Sequence, residues 1–206
     1  MRNAYALLGV SFLIIFVGAH FIVEKVNAPL TEGLIEIEEE VIIDKEIEIM
    51  SLTLTSPAFD EGEMLPVKHT CEGDGISPEL RISGVPDGTE SLVLVMDDPD
   101  IPQVVKDNME IEKFDHWVLY NIPVDTEVIE EAESAGTEGR TSRGGGKYVG
   151  ACPPDKEHRY IFRLYALSGV LSFVKAPTLD EVESAAKGMS IETATLIGVY
   201  NKIENQ

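Results

Sequence analysis

Two aspartates and two histidines carry the most distinctive polar chemistry of this sequence. Asp98 and Asp100 stand in the segment DDPD that ends one apolar run, His116 begins a second run, and His158 lies just before a third. The ends of strands and their loops are where binding sites are usually built. A carboxylate that is hydrogen-bonded to an imidazole favours the charged form of the ring, so an aspartate beside a histidine can hold it as a histidinium.

The segment GKYVGACPPDKEHRY, residues 146–160, adds further candidates beside His158. Pro153 and Pro154 would stiffen a wall of the site, because proline fixes its own φ. Tyr160 would offer a hydroxyl donor. Successive backbone N–H groups, such as those of the glycine-rich segment GGGKYVGA, are able to hold an anion without side-chain charge.

The apolar runs between these groups predict a mainly β domain. Three of them are near-continuous, as expected for central strands covered on both faces, and they span residues 91–98, 116–122 and 160–167. A last strand is predicted over residues 193–200. One helix is predicted from Thr178 to Gly188, because Thr178 and Glu181 have the spacing of a capping box and glycine is a common helix stop.

Alternation along the strands predicts which side chains share a face with each histidine. Successive side chains of a strand point to opposite faces of the sheet. His158 should therefore lie on the same face as Tyr160, while His116 should lie on the same face as Val118 and Tyr120. Arg159 falls on the opposite face from His158, which predicts an ion-pair role for its side chain.

Charge excludes one class of partner. The 206 residues include 37 Asp and Glu against 16 Lys and Arg, which gives a formal net charge of −21. Nucleic acids and anionic membrane surfaces attract clustered lysine and arginine, so neither is expected as the main partner. Any phosphate group must be held locally.

The N-terminal residues 1–25 predict a membrane-targeting segment. Ala4 to Val23 contains no formal charge and is close to the length of a membrane-spanning helix. Arg2 precedes it, so the positive-inside rule places the following domain outside the cytoplasmic membrane. A single-pass anchor and a cleavable signal peptide are alternatives, because small residues suited to a signal peptidase follow the apolar core.

Residues 26–50 form an acidic stem between this segment and the domain predicted at residues 51–203. Parts of it alternate apolar and acidic residues, so its end is predicted to join the domain as an edge strand, and a solvated tether is the alternative for its first half. Cys71 and Cys152 are the two cysteines of the chain. In an oxidising compartment they can form one intrachain disulfide, and two small buried thiols are the alternative.

The chain from about residue 50 to 202 resembles the phosphatidylethanolamine-binding protein family, in its bacterial and archaeal Raf-kinase-inhibitor-like branch. The resemblance rests on five segments: LTSPAFDEGEMLPVKHTCEGDGISPEL, DDPDIP, HWVLYNIP, YVGACPPDKEHRYIFRLYAL and the closing GVY. It implies a β-sandwich-like fold with a large central sheet, a smaller sheet on one side and helix on the other. It also implies a small pocket for phosphate-like groups, including phospholipid headgroups.

Carried onto this chain, the resemblance implies a non-enzymatic binding site without a cofactor. Its ligand-binding residues would be Asp98, Asp100, His116, Pro153, Pro154, His158 and Tyr160. Two departures affect the rim of the pocket: Ala151 stands where this branch usually has proline, and TSRGGGKYVG lacks the usual Asn/Asp-aromatic-glycine pattern. The connection over residues 104–115 is predicted to be a solvated loop, with a lid as the alternative.

Three other functions compete with the anion-binding site. His116, His158 and Asp98 could make a two-histidine, one-carboxylate metal site. Cys152, with His158 nearby in sequence, could be the nucleophile of a hydrolase. A third alternative is an anchored inhibitor or scaffold of a protein partner, as the kinase-regulating relatives imply.

Overall fold

The structure is a computed structural model that describes residues 15–17, 20–22 and 51–202. Strands β1 (Ile15–Val17) and β2 (His20–Ile22) pair antiparallel with each other. The rest of the predicted N-terminal helix and the acidic stem lie outside the described residues, so both stay predictions. Within the part of the chain that is described, no helix combines the length and the apolar character needed to cross a membrane.

Residues 51–202 form two sheets and three short helices. A 3-10 helix spans Val67–His69, and the α-helices are α1 (Gln103–Met109) and α2 (Leu179–Ala186). The smaller sheet has the order β3-β4-β7, from β3 (Thr53–Thr55), β4 (Leu80–Ser83) and β7 (Val128–Ile129). The larger has the order β10-β9-β5-β6-β8, from β5 (Ser91–Asp98), β6 (Phe114–Ile122), β8 (Thr137–Glu138), β9 (His158–Leu167) and β10 (Ser190–Tyr200).

The large sheet separates two apolar cores, and strand β5 contributes to both. Leu92, Leu94 and Met96 pack with the residues of the small sheet, while Val93 and Val95 pack with those of α2. All five side chains are fully buried, and burial of a side chain of this size contributes about 1.5–3 kcal/mol. A strand with two buried faces is therefore apolar throughout, which is the pattern seen in its sequence.

The predicted helix after Thr178 is confirmed. The Thr178 side chain accepts a hydrogen bond from the Glu181 amide, and the Glu181 carboxylate accepts one from the Thr178 amide. This reciprocal cap satisfies two of the backbone donors that every helix start leaves unpaired. Leu179, Val182 and Ala186 form the buried face of α2 against the large sheet.

The mainly β fold, with a large sheet, a smaller sheet on one side and helix on the other, is confirmed. The loop predicted over residues 104–115 is wrong in its first half, because α1 occupies Gln103–Met109. This helix buries none of its residues, and Pro102 before it provides no side-chain cap. Neither an apolar stripe nor a capping signal was therefore available in the sequence.

Candidate functional site

A cavity of about 190 Å³ opens at the end of the large sheet where β5 stops and β6 begins. It is lined by Ile101, Val105, Phe114, His116, Arg143, Val149, Gly150, Cys152 and Pro154. Most of this wall is apolar, and His116 and Arg143 supply its nitrogen-bearing side chains. The cavity has room for a group of a few heavy atoms, since a water molecule occupies about 30 Å³ in the liquid.

A β-bulge turns His116 toward this cavity. Met96 pairs with Trp117 and Asp97 pairs with Asp115, so His116 is an extra residue that no residue of β5 opposes. A bulge re-aims the side chains of the longer strand and is common next to binding sites. The His116 ring consequently packs edge-on against Tyr160, with ring centroids 5.2 Å apart.

The prediction that His116 shares a face with Val118 and Tyr120 is therefore wrong. Those two side chains pack in the core beside α2, whereas Tyr160 belongs to the core between the sheets. The prediction that His158 and Tyr160 share a face is consistent with β9, in which the two are buried and Arg159 between them is exposed.

Val149 holds the His116 ring in one orientation. The His116 Nδ1–H donates to the Val149 carbonyl at 2.7 Å, and the His116 carbonyl accepts from the Val149 amide at 2.9 Å. Burial lowers the pKa of His116 and outweighs the hydrogen bond to Val149. The neutral ring, with its proton on Nδ1, leaves the Nε2 lone pair as an acceptor.

The segment that contains Val149 is hydrogen-bonded to the end of the 3-10 helix and to the residues that follow it. Thr70 pairs with Ala151, the Cys71 amide donates to the Ala151 carbonyl at 2.9 Å, and the Tyr148 hydroxyl donates to the His69 carbonyl at 2.9 Å. The Ala151 amide also faces the His69 carbonyl at 3.4 Å, a contact that proline could not make. This contact is the local consequence of alanine at the position where the family branch usually has proline.

A disulfide joins the same two segments. Cys71 and Cys152 are bonded, with their Cα atoms 5.3 Å apart. Gly150 permits the close approach, because a Cβ there would lie 2.9 Å from the Thr70 carbonyl carbon. Of the two possibilities left by the sequence, the structure shows the disulfide. A bonded Cys152 has no thiolate and cannot serve as the nucleophile of a hydrolase.

Next to the cavity, His158 lies between two carboxylates. Its Nδ1 is 2.7 Å from the Asp98 carboxylate and its Nε2 is 2.8 Å from the Asp155 carboxylate. Carboxylates only accept, so both ring nitrogens must donate and the ring is an imidazolium. Burial opposes the charged ring, but the hydrogen bonds to Asp98 and Asp155 outweigh it and the pKa of His158 is raised.

His158 is thus the histidinium that an aspartate holds, but neither of its N–H groups is left for a ligand. The other carboxylate oxygen of Asp98 accepts a hydrogen bond from the Asp100 amide at 2.8 Å, which further restricts the Asp98 side chain. These contacts tie the end of β5 to the start of β9. We interpret the pair as the support of the site.

Asp100 forms an ion pair with Arg159. Both carboxylate oxygens accept from the guanidinium, at 2.8 Å and 2.7 Å. Those hydrogen bonds from Arg159 lower the pKa of Asp100 to about 2. The sequence-based prediction that Arg159 is an ion-pair partner is consistent with this geometry.

A second charged cluster lies on the face of the sheet that α2 covers. Asp97 is fully buried there and pairs with Arg163 and with Lys113, the latter at 3.2 Å. Lys113 reaches Glu183 of α2 at 3.1 Å. The cluster ties the helix to the sheet and does not contribute to the cavity lining.

Arg143 is the charged residue of the cavity lining that is not among the predicted ligand-binding residues. Arg81, Arg140, Arg159 and Arg163 each have a carboxylate within 4.0 Å. Among residues 51–202, no carboxylate lies that close to Arg143. In so acidic a chain, an arginine within a glycine-rich segment is a signal that could have singled it out.

The structure brings only part of the predicted set to the cavity. Of the seven predicted ligand-binding residues, His116 and Pro154 line it. Asp98, His158, Tyr160 and Pro153 are buried nearby and do not line it, and Asp100 is held by Arg159. Across the described ranges, no group of three His, Cys, Asp or Glu side chains is placed to hold a metal ion.

Known proteins are similar to the part of the chain that contains the cavity. The family model described as phosphatidylethanolamine-binding protein matches residues 55–201. A UPF0098 protein of Chlamydia pneumoniae is 41% identical over 153 residues, which cover 73% of this chain and 99% of that protein. A solved phosphatidylethanolamine-binding protein homolog of Chlamydia trachomatis has a TM-score of 0.70 at 38% identity, covering 74% of this chain and 99% of that one.

Escherichia coli YbcL, described as a new member of the mammalian PEBP family, is also similar in structure. Its TM-score is 0.65 at 29% identity, and the match covers 74% of this chain and 99% of YbcL. The residues matched by the family model include the whole large sheet and every residue that lines the cavity.

Proposed function

Because the chain belongs to the phosphatidylethanolamine-binding protein family, we propose that it is a non-enzymatic binding protein whose cavity at His116 receives a small phosphate-like anion. The observation that carries the proposal is Arg143, which lines the cavity and has no carboxylate partner among the described residues. Arginine matches the geometry of phosphate oxygens and keeps its charge at any physiological pH. A free phosphate and a phospholipid headgroup share this chemistry.

The residues at the cavity divide the recognition between them. Arg143 would donate to the anionic oxygens. Neutral His116, whose Nδ1–H is occupied by Val149, would accept from a protonated oxygen of the phosphate or from another donor of the ligand. The apolar wall around Phe114 and Pro154 lowers the competition from water, which strengthens a charge-assisted hydrogen bond.

Calorimetric titration of the full chain with orthophosphate and with phosphoethanolamine tests the proposal. We expect Arg143→Gln and His116→Gln each to weaken binding about tenfold or more, since a hydrogen bond to a charged group contributes about 1.5–3 kcal/mol. Lys187→Gln removes an exposed lysine far along the chain at the end of α2 and should leave affinity unchanged.

Equal binding by the parent and both cavity variants would refute the assignment. Arg143 is exposed, so its replacement tests the site even if His116→Gln fails to fold. Tighter binding of phosphoethanolamine than of orthophosphate would favour the headgroup as the source of the ligand. The reverse order would favour a free phosphate compound.

We also propose that the domain is displayed outside the cytoplasmic membrane. The bond between Cys71 and Cys152 supports this, because disulfides persist in oxidising compartments. Protease added to intact cells that produce the full chain should remove the domain, and a cytoplasmic marker should survive. Protection of the domain until the cells are lysed would overturn the proposed location.

A further inference from the structure

A groove of about 570 Å³ adjoins the cavity and shares three of its residues. One side of the groove comes from residues 70–75 and the other from residues 141–150. Arg143, Val149 and Gly150 line both the cavity and the groove. A ligand held at Arg143 therefore has a surface on which to extend, and the 190 Å³ cavity alone cannot contain a large one.

The charged side chains of the groove are Arg143, Lys147 and Asp74. Lys147 resembles Arg143 in having no carboxylate within ion-pair distance among residues 51–202. Asp74 is exposed on the other side of the groove. The groove lining thus carries two basic groups against one acidic group in a chain whose net charge is −21, and Glu138 also approaches its backbone, with Oε2 2.8 Å from a Cβ built on Gly146. The two basic groups attract an anion by an amount that depends on salt.

The backbone between the two basic residues adds hydrogen-bond donors. The amides of Gly145, Gly146, Lys147 and Tyr148 have no acceptor within the described part of the chain, whereas the amide of Val149 donates to His116. Successive backbone N–H groups with free hydrogen-bonding capacity are a common way to hold an anion. A Cβ built on Gly145 would meet nothing within 4 Å, so the backbone at this point is open to solvent.

We propose that the cavity and the groove together bind a ligand with two phosphate-like groups, the first at His116 and Arg143 and the second against Lys147 and the amides of residues 145–148. The site for the first phosphate-like group is that of the proposed function, on which this inference rests. The site for the second group, at Lys147 and the amides of residues 145–148, is new. The ligand class is a diphosphate or an organic bisphosphate. Asp74 and the Glu138 carboxylate beside Gly146 oppose such a ligand and limit its affinity.

Titration of the full chain with orthophosphate and pyrophosphate at constant ionic strength tests whether a second phosphate group binds at Lys147. We expect pyrophosphate to bind about tenfold more tightly than orthophosphate, as one additional charged hydrogen bond would produce. Lys147→Gln should remove that advantage and change orthophosphate affinity less than twofold. Asp74→Asn, which is nearly isosteric, should strengthen pyrophosphate binding, and Lys187→Gln should change neither affinity.

The outcomes separate the two proposals. Orthophosphate binding that depends on Arg143, combined with no gain for pyrophosphate, would overturn the second group and leave the proposed function intact. A pyrophosphate gain that survives Lys147→Gln would overturn it as well, because general charge attraction would then explain the gain. Failure of orthophosphate, phosphoethanolamine and pyrophosphate alike to bind would overturn the proposed function itself.

Discussion

Replacing His158 with glutamine is expected to lower the free energy of unfolding by about 3–5 kcal/mol, the usual cost of breaking a buried ion pair by removing one partner. His158 is fully buried and Asp98 is 3% exposed. Without the imidazolium, the Asp98 carboxylate stays buried with its charge uncompensated. Urea denaturation of the full chain, followed by the fluorescence of its single tryptophan, Trp117, measures the change.

An exposed ion pair at the adjacent position of β9 supplies the matched control. Arg159 is 54% exposed, so Arg159→Gln should cost no more than about 1 kcal/mol. The double variant His158→Gln with Asp98→Asn should cost less than the sum of the single variants, because it removes both charges. A loss for His158→Gln no larger than that for Arg159→Gln would contradict the assignment of a charged support.

The same pair makes stability depend on pH in a defined direction. The pKa of His158 is raised in the folded state, above an unfolded value of about 6.5. Its stabilisation is therefore fully present below about pH 6.5 and is lost as pH rises through the folded pKa. The stability difference between the parent and His158→Gln should narrow over that rise.

Removal of the disulfide is expected to have the second large effect on stability. Cys71 and Cys152 are 81 residues apart in sequence, and closing a loop of that length restricts the unfolded chain by about 4 kcal/mol. The double variant Cys71→Ser and Cys152→Ser should lose about that amount, which corresponds to a fall in Tm of roughly 10 °C for a domain of this size. Thermal and urea unfolding of the full chain measure both quantities.

Chemical reduction of the parent is the control for this variant. Reduced parent and double serine variant should unfold at the same urea concentration, because both lack the bond and retain similar side chains. The double variant should also be insensitive to reductant. Equal stability of the oxidised parent and the double variant would show that the bond does not restrict the unfolded chain as expected.

The strands and the helix α2 could be predicted because their signals are local. The apolar run of β5 reflects two buried faces, and the capping box of Thr178 and Glu181 is formed within one turn. Helix α1 escaped prediction because it lies on the surface with no buried face. Burial pattern and capping act over a few residues, so the amino-acid order alone reveals them.

The sequence by itself thus determined the β-sandwich class, the family resemblance and the motifs around His116 and His158. Only the tertiary structure decided which of the candidate side chains line the cavity. His158 is 60 residues from Asp98 in sequence, and only the folded chain shows that Asp98 and Asp155 each occupy one nitrogen of the His158 ring. The bulge at His116 depends on the register between β5 and β6. The glycine-rich segment could mark Arg143 in the sequence, but only the structure shows that it lines the cavity with no carboxylate within 4.0 Å among residues 51–202. Pairing across sheets and charge neutralisation depend on residues distant in the chain, and local patterns cannot encode them.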